Sequence, residues 1–161
     1  MGVGKTSVGR QLAGLLHRPF VDVDAEIESR CGADIQWIFD MEGEAGFRKR
    51  ETKVLSDIVA SSASSVIATG GGVVMTKENR KILQSSGQVI YLSVSKEQLY
   101  ERMRRDKSRP LLQVGNREKV IDDLIELRDP LYREIADVVF AAEAGSAYRV
   151  AKVLLDELSK H

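Results

Sequence analysis

Met1-Gly2-Val3-Gly4-Lys5-Thr6-Ser7 is the stretch of this sequence that decides the fold. It matches the second half of a phosphate-binding loop, whose full pattern is a glycine, four residues of any type, and then Gly-Lys-Ser or Gly-Lys-Thr. The opening glycine would lie before Met1, so we expect the sequence to begin inside the motif, as in an N-terminally truncated chain. An apolar helical pattern over residues 8–16 follows, as the motif requires.

A loop of this kind binds phosphate through the helix that it opens. The free backbone N–H groups and the positive end of the helix dipole both face the anion. Lys5 would reach the β- and γ-phosphates of a nucleotide, and the hydroxyl of Thr6 would bind Mg²⁺. The alternative is an ordinary helix start with an incidental Gly-Lys-Thr, and this stretch by itself leaves both interpretations open.

The composition is that of an ordinary globular domain. The chain has 161 residues, of which 43% are hydrophobic and 30% charged, and its formal net charge is zero. We therefore expect one domain over 1–161 that binds neither nucleic acid nor membrane. A single cysteine and two histidines argue against a disulfide framework and a His/Cys metal site. No apolar run approaches about 18 residues and no signal peptide is recognisable, so we expect a cytoplasmic protein.

Strands and helices alternate along the chain, which is typical of an α/β protein with a mostly parallel sheet between helical layers. Strands are predicted at residues 19–24, 66–69, 88–94 and 137–141. Helices are predicted at residues 25–30, 35–41, 44–60, 76–83, 96–105, 118–128 and 147–158, with a further helix opening at Pro130. A phosphate loop normally follows a strand, and that strand would precede Met1. We therefore expect the first, interior strand of the sheet to be missing. Trp37 and Phe39 are expected in the core.

Asp22 and Asp24 lie where the first visible strand passes into a helix. Ligands collect at the carboxyl ends of strands in open α/β sheets, and alternate residues of a strand share a face. Two carboxylates at this spacing could converge on one site, one beside the water shell of a metal ion and the other accepting a proton from a hydroxyl nucleophile. The alternative is a helix N-cap next to a solvated aspartate.

Three consecutive glycines, Gly70-Gly71-Gly72, follow the second visible strand. Glycines cost backbone entropy and offer no packing, so a close approach of another group to the backbone would explain them. Their N–H groups could contact a hydroxyl or an anion. A tight turn between strand and helix explains them equally well. No aspartate closes this strand, so Asp22 would have to take the metal-binding part that such an aspartate has in other phosphate-loop proteins.

Residues 101–119 carry seven basic and three acidic side chains. A basic, irregular stretch between helices in a phosphate-loop protein suggests a lid, at about residues 106–117, that closes over nucleotide. A nucleic-acid patch is the alternative, but the aromatic side chains and extended basic surface that would support it are missing. Arg48, Arg109 and Arg128 also stand out by their local sequence, although each alone could be a solvated surface charge.

Taken together, these residues resemble the shikimate kinase family. The matching motifs keep the family's order and span nearly the whole chain. They are residues 1–6, Asp22-Val23-Asp24, Gly32-Ala33-Asp34-Ile35, Glu42-Gly43-Glu44-Ala45-Gly46-Phe47-Arg48, Ala68-Thr69-Gly70-Gly71-Gly72, Arg109-Pro110-Leu111-Leu112 and Arg128-Asp129-Pro130-Leu131-Tyr132.

The resemblance implies an activity and a fold. The activity is ATP-dependent phosphorylation of the 3-hydroxyl of shikimate, which gives shikimate 3-phosphate for aromatic amino-acid biosynthesis, with Mg²⁺ as cofactor and ATP as co-substrate. The fold is that of nucleoside-monophosphate kinases, with a five-stranded parallel sheet and the strand before the phosphate loop in its middle. We expect a monomer whose partners are these small molecules.

The resemblance also implies which residues bind shikimate. The substrate-binding helical region is at about residues 24–60. Asp24 contacts the substrate hydroxyls and is the proposed base, and Gly71 donates a backbone N–H to the substrate. Arg48 and Arg128 hold the shikimate carboxylate.

On the nucleotide side, the resemblance implies that Asp22 joins Thr6 at the Mg²⁺ shell. Arg109 reaches the ATP phosphates from the lid and acts with Lys5 in catalysis, and Arg102 flanks the adenine. The expected ATP-binding residues are Gly2, Val3, Gly4, Lys5, Thr6, Ser7, Arg102 and Arg109.

Two departures from the family pattern leave alternatives open. The opening strand and glycine are missing, and Gly145 stands where the family often has a long polar residue beside the adenine, with Arg149 close enough to compensate. One alternative is another small-molecule phosphate-loop kinase, such as a gluconate-kinase-like enzyme. The other is a catalytically impaired, ligand-binding relative.

Overall fold

The fold is seen in a computed structural model that describes residues 4–61, 63–105, 116–142 and 145–161. Helices and strands alternate as the sequence predicts, so the α/β class is confirmed. In chain order the elements are α1 (Lys5–Leu16), β1 (Phe20–Asp22), α2 (Val23–Cys31), α3 (Ile35–Ala60), β2 (Val66–Ala68), a 3-10 turn (Val73–Met75), α4 (Lys77–Ser86), β3 (Ile90–Ser93), α5 (Lys96–Arg105), α6 (Arg117–Ile135), β4 (Val138–Ala141) and α7 (Ala147–Leu158).

All four strands pair in parallel, but they form two separate pairs. β1 pairs with β2, with Phe20 opposite Val66, and β3 pairs with β4, with Ile90 opposite Val138. Within the described part of the chain, no ladder joins β2 to β3. A cavity of about 940 Å³ has residues of both strands in its lining, together with apolar side chains of α1 and α7. The described sheet is therefore two halves with open space between them.

Two main groups of buried side chains pack the helices of the described chain, and the one on α1 and α7 contacts both strand pairs, through Val66 and Ile90. The larger one packs α2 and α3 against the 3-10 turn, and its members include Val23, Ile27, Ile38, Phe47, Val54, Leu55, Val73 and Val74. The smaller one packs α1 against α7 through Val8, Leu12, Ala151 and Leu154. None of the described helices is both long and apolar enough to cross a membrane.

Some local predictions are wrong. The predicted end of a helix near Gly43 is a kink inside α3, where Gly43 has φ 70° and ψ −180°. Pro130 does not open a new helix but lies inside α6. Proline removes one backbone donor, and packing holds the helix on both sides of it, because Arg128 and Ile135 are both buried. Trp37 is 46% exposed rather than in the core.

Candidate active site

The start of α1 has the geometry of an anion-binding helix end. Gly4 precedes the helix with φ 75° and ψ 27°, a left-handed conformation that glycine adopts without strain. Its carbonyl accepts the first helical bond from the N–H of Val8 at 3.0 Å. Lys5 and Thr6 therefore sit in the first turn, where backbone N–H groups have no helical partner.

Asp22 connects this helix start to the rest of the site. Its Oδ2 accepts a hydrogen bond of 2.8 Å from the hydroxyl of Thr6. Its Oδ1 accepts one of 3.0 Å from the N–H of Ala25, which makes Asp22 the N-cap of α2. The structure thus brings together the two residues that the sequence assigns to the metal, and it also confirms the N-cap. The carboxylate is held in place from both sides.

Asp24 is not on a strand, so the prediction that it shares a strand face with Asp22 is wrong. The strand ends at Asp22, and Asp24 lies in the first turn of α2. It still reaches the three glycines, because a Cβ built on Gly70 would lie 2.8 Å from its Oδ1. The two aspartates are therefore separated by the change from strand to helix, and Asp22 lies beside Thr6 whereas Asp24 lies beside Gly70.

Close approach of side chains explains two of the three glycines that we call the glycine turn (residues 70–72), namely Gly70 and Gly72. A Cβ on Gly72 would overlap Nη2 of Arg48 and would lie 2.7 Å from its Cζ. None of the three is among the glycines with positive φ, so the backbone conformation alone does not demand glycine. Glycine is needed at positions 70 and 72 because the carboxylate of Asp24 lies against Gly70 and the guanidinium of Arg48 lies against Gly72.

Arg48 is held by an ion pair with Glu51, a partner that is not among the residues predicted for the site. Its Nη1 donates to Oε1 of Glu51 at 2.8 Å, and its Nη2 lies 3.4 Å from Oε1 of Glu44 on the helix surface. Glu51 is fully buried, and burial raises the pKa of its carboxyl although Arg48 opposes the shift. A signal was available, because Glu51 falls between Phe47 and Leu55 on the apolar face of α3, where a carboxylate needs a partner.

Arg128 is a second cation that acts on Glu51, and unlike Arg48 it is buried. It lies on α6, with 8% of its surface exposed, and its Nε has no hydrogen-bond partner within the described residues. Burial lowers the pKa of its guanidinium, and repulsion from Arg48 lowers it further, whereas Glu44 and Glu51 act in the opposite direction. Burial also raises the pKa of the neighbouring Tyr132 hydroxyl to about 12. A guanidinium in this state is suited to an incoming anion.

Other predicted residues lie away from these contacts or outside the described chain. Arg102 is a half-buried residue of α5, Ser7 is exposed on α1, and Gly71 lies inside the glycine turn. Gly145 is an exposed bend before α7, which contains Arg149. Gly2, Val3 and Arg109 lie outside the described residues, as does the predicted lid over about residues 106–117 except for its last two positions, Asn116 and Arg117.

The fold and the site define an α/β protein in which a helix start suited to anions is linked through Thr6 to Asp22, and in which Asp24 and Arg48 lie against the glycine turn. The family model for shikimate kinase matches residues 1–159 of this chain. A shikimate kinase of Pseudomonas paraeruginosa is 52% identical over 160 residues, which cover 99% of this chain and 92% of that protein. A shikimate kinase of Histophilus somni is 47% identical over 157 residues, which cover 97% and 89%.

Solved structures agree with these relatives. A shikimate kinase from Acinetobacter baumannii in complex with shikimate superposes with a TM-score of 0.95 at 48% identity, covering 99% of this chain and 89% of that one. A shikimate kinase from Bacteroides thetaiotaomicron gives a TM-score of 0.88 at 31% identity, covering 99% and 94%. The chain belongs to the shikimate kinase family. The prediction from the sequence is thereby confirmed, and neither a gluconate-kinase-like enzyme nor a non-catalytic relative is favoured.

Proposed function

We propose that this chain transfers the γ-phosphoryl group of ATP to the 3-hydroxyl of shikimate, as a step of aromatic amino-acid biosynthesis, and that the pocket at the glycine turn binds shikimate. The observation that carries the pocket assignment is its charge arrangement, in which the guanidiniums of Arg48 and Arg128 both interact with the one buried carboxylate of Glu51. Shikimate brings a second carboxylate to such a pocket, and guanidinium groups match that group in shape and charge.

In this proposal Arg48 and Arg128 bind the substrate carboxylate from two different helices. Two cations on separate elements fix the orientation of a small ring better than one, since each holds it from its own direction. Gly71, which is half-buried in the glycine turn, donates its backbone N–H to the substrate. The carboxylate of Asp24, packed against Gly70, accepts hydrogen bonds from the hydroxyls.

Asp24 is also the proposed base. The 3-hydroxyl oxygen forms a bond to the γ-phosphorus while the bond from that phosphorus to the β–γ bridging oxygen breaks, and ADP leaves. The hydroxyl proton passes to Asp24. Because the transferred group carries most of the charge in a loose transition state, positioning and charge neutralisation contribute more than the strength of the base.

Lys5 and the N–H groups of residues 4–7 are the proposed partners of the ATP phosphates. Thr6 and Asp22 would hold Mg²⁺. The donors fit this ion, because a hydroxyl and a carboxylate oxygen already lie 2.8 Å apart and Mg²⁺ prefers few protein oxygens together with water. When bound, Mg²⁺ would neutralise phosphate charge. The N–H of Ala25 keeps the Asp22 carboxylate turned toward Thr6.

The basic segment completes the nucleotide side of the proposal. Arg109 would contact the ATP phosphates from a lid over about residues 106–117, and Arg102 would lie beside the adenine. Support comes from the seven basic side chains between residues 101 and 119 and from the family. Closure of such a lid excludes water and limits ATP hydrolysis without transfer.

The test is ADP release coupled to a spectroscopic assay, with shikimate in one arm and gluconate in the other. We expect turnover with shikimate only, and phosphorus–proton NMR of the product should show the phosphate on the C3 oxygen. Turnover with gluconate but not shikimate would overturn the proposal. Binding of shikimate and ATP in calorimetry with no product would instead indicate a ligand-binding relative.

We also propose that the protein works in the cytoplasm as a monomer. A single cysteine, which is half-buried and free, suits a reducing compartment. Cell fractionation and light scattering of the purified protein test the two statements, and a dimer mass at working concentration would overturn the second.

A further inference from the structure

The pocket contains a third buried polar side chain that the proposed mechanism does not use. Among the described residues, three polar or charged side chains are buried, namely Glu51, Asn79 and Arg128. Glu51 and Arg128 belong to the proposed carboxylate site. Asn79 lies on α4 and is fully buried. Burying an amide costs free energy unless its hydrogen bonds are made, so its place beside this pair requires an explanation.

Asn79 contacts both parts of the pocket. Its Nδ2 donates to the carbonyl of Val73 at 3.1 Å, and Val73 directly follows the glycine turn. The same Nδ2 lies 3.5 Å from Oε1 of Glu51, the oxygen that also accepts from Nη1 of Arg48 at 2.8 Å. One amide group thus connects the backbone beside the glycine turn to the carboxylate that orients Arg48.

The orientation of the Asn79 amide follows from its surroundings. The carbonyl of Val73 can only accept a hydrogen bond, so the Asn79 side chain must turn its Nδ2 toward that carbonyl. In this orientation Nδ2 also faces the carboxylate of Glu51. An N–H group beside Oε1 favours the ionised carboxylate, whereas burial raises the pKa of Glu51. The charged groups that act on Glu51 are Arg48 on α3, Asp24 on α2 and Arg128 on α6.

We propose that Asn79 is a positioning residue for substrate recognition, which holds the Glu51 carboxylate in place so that Arg48 presents its guanidinium to the substrate carboxylate at the glycine turn. The proposal rests on the function proposed above, since it requires Arg48 to bind that carboxylate. Asn79 itself contacts no reacting atom. Its effect is therefore on the KM for shikimate, and kcat and the KM for ATP stay unchanged.

Asn79→Leu removes the amide and keeps a similar volume. We expect the KM for shikimate to rise about fivefold, which corresponds to the loss of a modest hydrogen bond.

Asn79→Asp replaces the donor by an acceptor of the same size. We expect a larger rise in KM at pH 8 that shrinks as the pH falls, because the introduced carboxyl becomes a donor again when it is protonated.

Arg80 provides a matched control. It is the next residue of α4, and its Nη1 donates to the carbonyl of Val74 at 2.6 Å, so it holds the same 3-10 turn by the neighbouring carbonyl. We expect Arg80→Met to lower the melting temperature and leave the KM for shikimate unchanged. Equal increases in KM for Arg80→Met and Asn79→Leu would mean that Asn79 only stabilises the turn, which overturns the proposal.

A double-mutant cycle with Arg48→Lys separates this proposal from the proposed function. If Asn79 acts through Arg48, Asn79→Leu should change shikimate affinity much less in the Arg48→Lys background than in the wild type. Additive effects, or an unchanged KM in a folded Asn79→Leu variant, would overturn the role of Asn79. If Arg48→Lys alone leaves shikimate affinity unchanged in an active enzyme, it is the carboxylate assignment that fails.

Discussion

The proposed shikimate side and the proposed nucleotide side of this molecule are built in different ways. On the shikimate side, Arg48 pairs with the fully buried Glu51, and Arg128 is buried on α6. On the nucleotide side, Lys5 and Thr6 sit on the first turn of one helix, and the described sheet beside it is split into two pairs. The groups proposed to bind the substrate carboxylate are thus set by packing between helices, whereas those proposed to bind the phosphates belong to a single helix start.

This difference has a physical origin. A pocket for a carboxylate needs cationic side chains. Such side chains keep a fixed conformation only if they are buried together with partner groups. A phosphate site can use backbone N–H groups, which any well-placed helix end provides. The first kind of site depends on tertiary packing around each side chain, and the second depends on what holds the helix against the sheet.

The largest expected effect is that of Asp24→Asn on turnover. We expect kcat to fall by about 10²- to 10⁴-fold, because the proposed base is lost, while ATP affinity in calorimetry stays unchanged. Glu26→Gln is the control, since Glu26 lies in the same helical turn but pairs with Arg30. Unchanged turnover in Asp24→Asn would remove Asp24 from the mechanism and with it the functional link between the two sides.

The split sheet provides the next test. A chain extended before Met1 by about a dozen residues, with an apolar strand and the opening glycine of the loop pattern, should be more stable than the 161-residue chain. A strand between β2 and β3 would pair with both and bury apolar surface. We expect the free energy of unfolding to rise by about 2–5 kcal/mol, after subtraction of the entropy lost in ordering the strand. Thermal unfolding of the two chains measures the difference.

An extension of the same length with prolines in place of the strand residues is the control, because proline cannot donate to a ladder. Equal melting temperatures for all three chains would show that the two sheet halves gain nothing from a strand between them. The contrast between the two sides of the molecule would then need another explanation.

Arg128→Met should separate binding from stability. We expect shikimate affinity to fall by about 30-fold, since a buried charge-assisted contact is lost. We also expect the melting temperature to stay equal or rise, because the variant no longer buries a guanidinium with an unpartnered Nε. Arg133→Met is the control, because Arg133 lies on the same helix and pairs with Asp129 at the surface. Normal shikimate affinity in Arg128→Met would argue against the carboxylate contact.

The smallest expected effect is that of Glu51→Gln on stability. Burial raises the pKa of Glu51 in the folded protein, so the folded state binds this proton more tightly than the unfolded chain does. The wild type should therefore lose stability relative to Glu51→Gln as the pH rises from about 4.3, the ordinary pKa of glutamate, through the raised value. Over this pH range, the melting temperature of the wild type should fall by a few degrees relative to that of Glu51→Gln. Glu44→Gln, at an exposed position beside Arg48, should show no such trend.

The sequence was sufficient for the elements and for the order of the motifs. Alternating strand and helix patterns predicted the α/β class, and the glycine turn and Arg48 were singled out from local patterns. The sequence was not sufficient for Asp24, whose place depends on where the strand ends, or for Pro130, whose helix continues because buried neighbours hold it. Glu51 was missed, although its position on an apolar helix face was a usable signal.

The sequence by itself therefore determined which chemical groups this protein has and which kinds of element carry them, because periodicity, capping and turn residues act over a few neighbouring positions. Only the tertiary structure decided that Arg48 and Arg128, 80 positions apart in the sequence, interact with the same buried Glu51, and that Asn79 joins this pair to the glycine turn. Such contacts depend on how whole helices pack, and burial sets the charge state and direction of each side chain there. No local pattern encodes that environment.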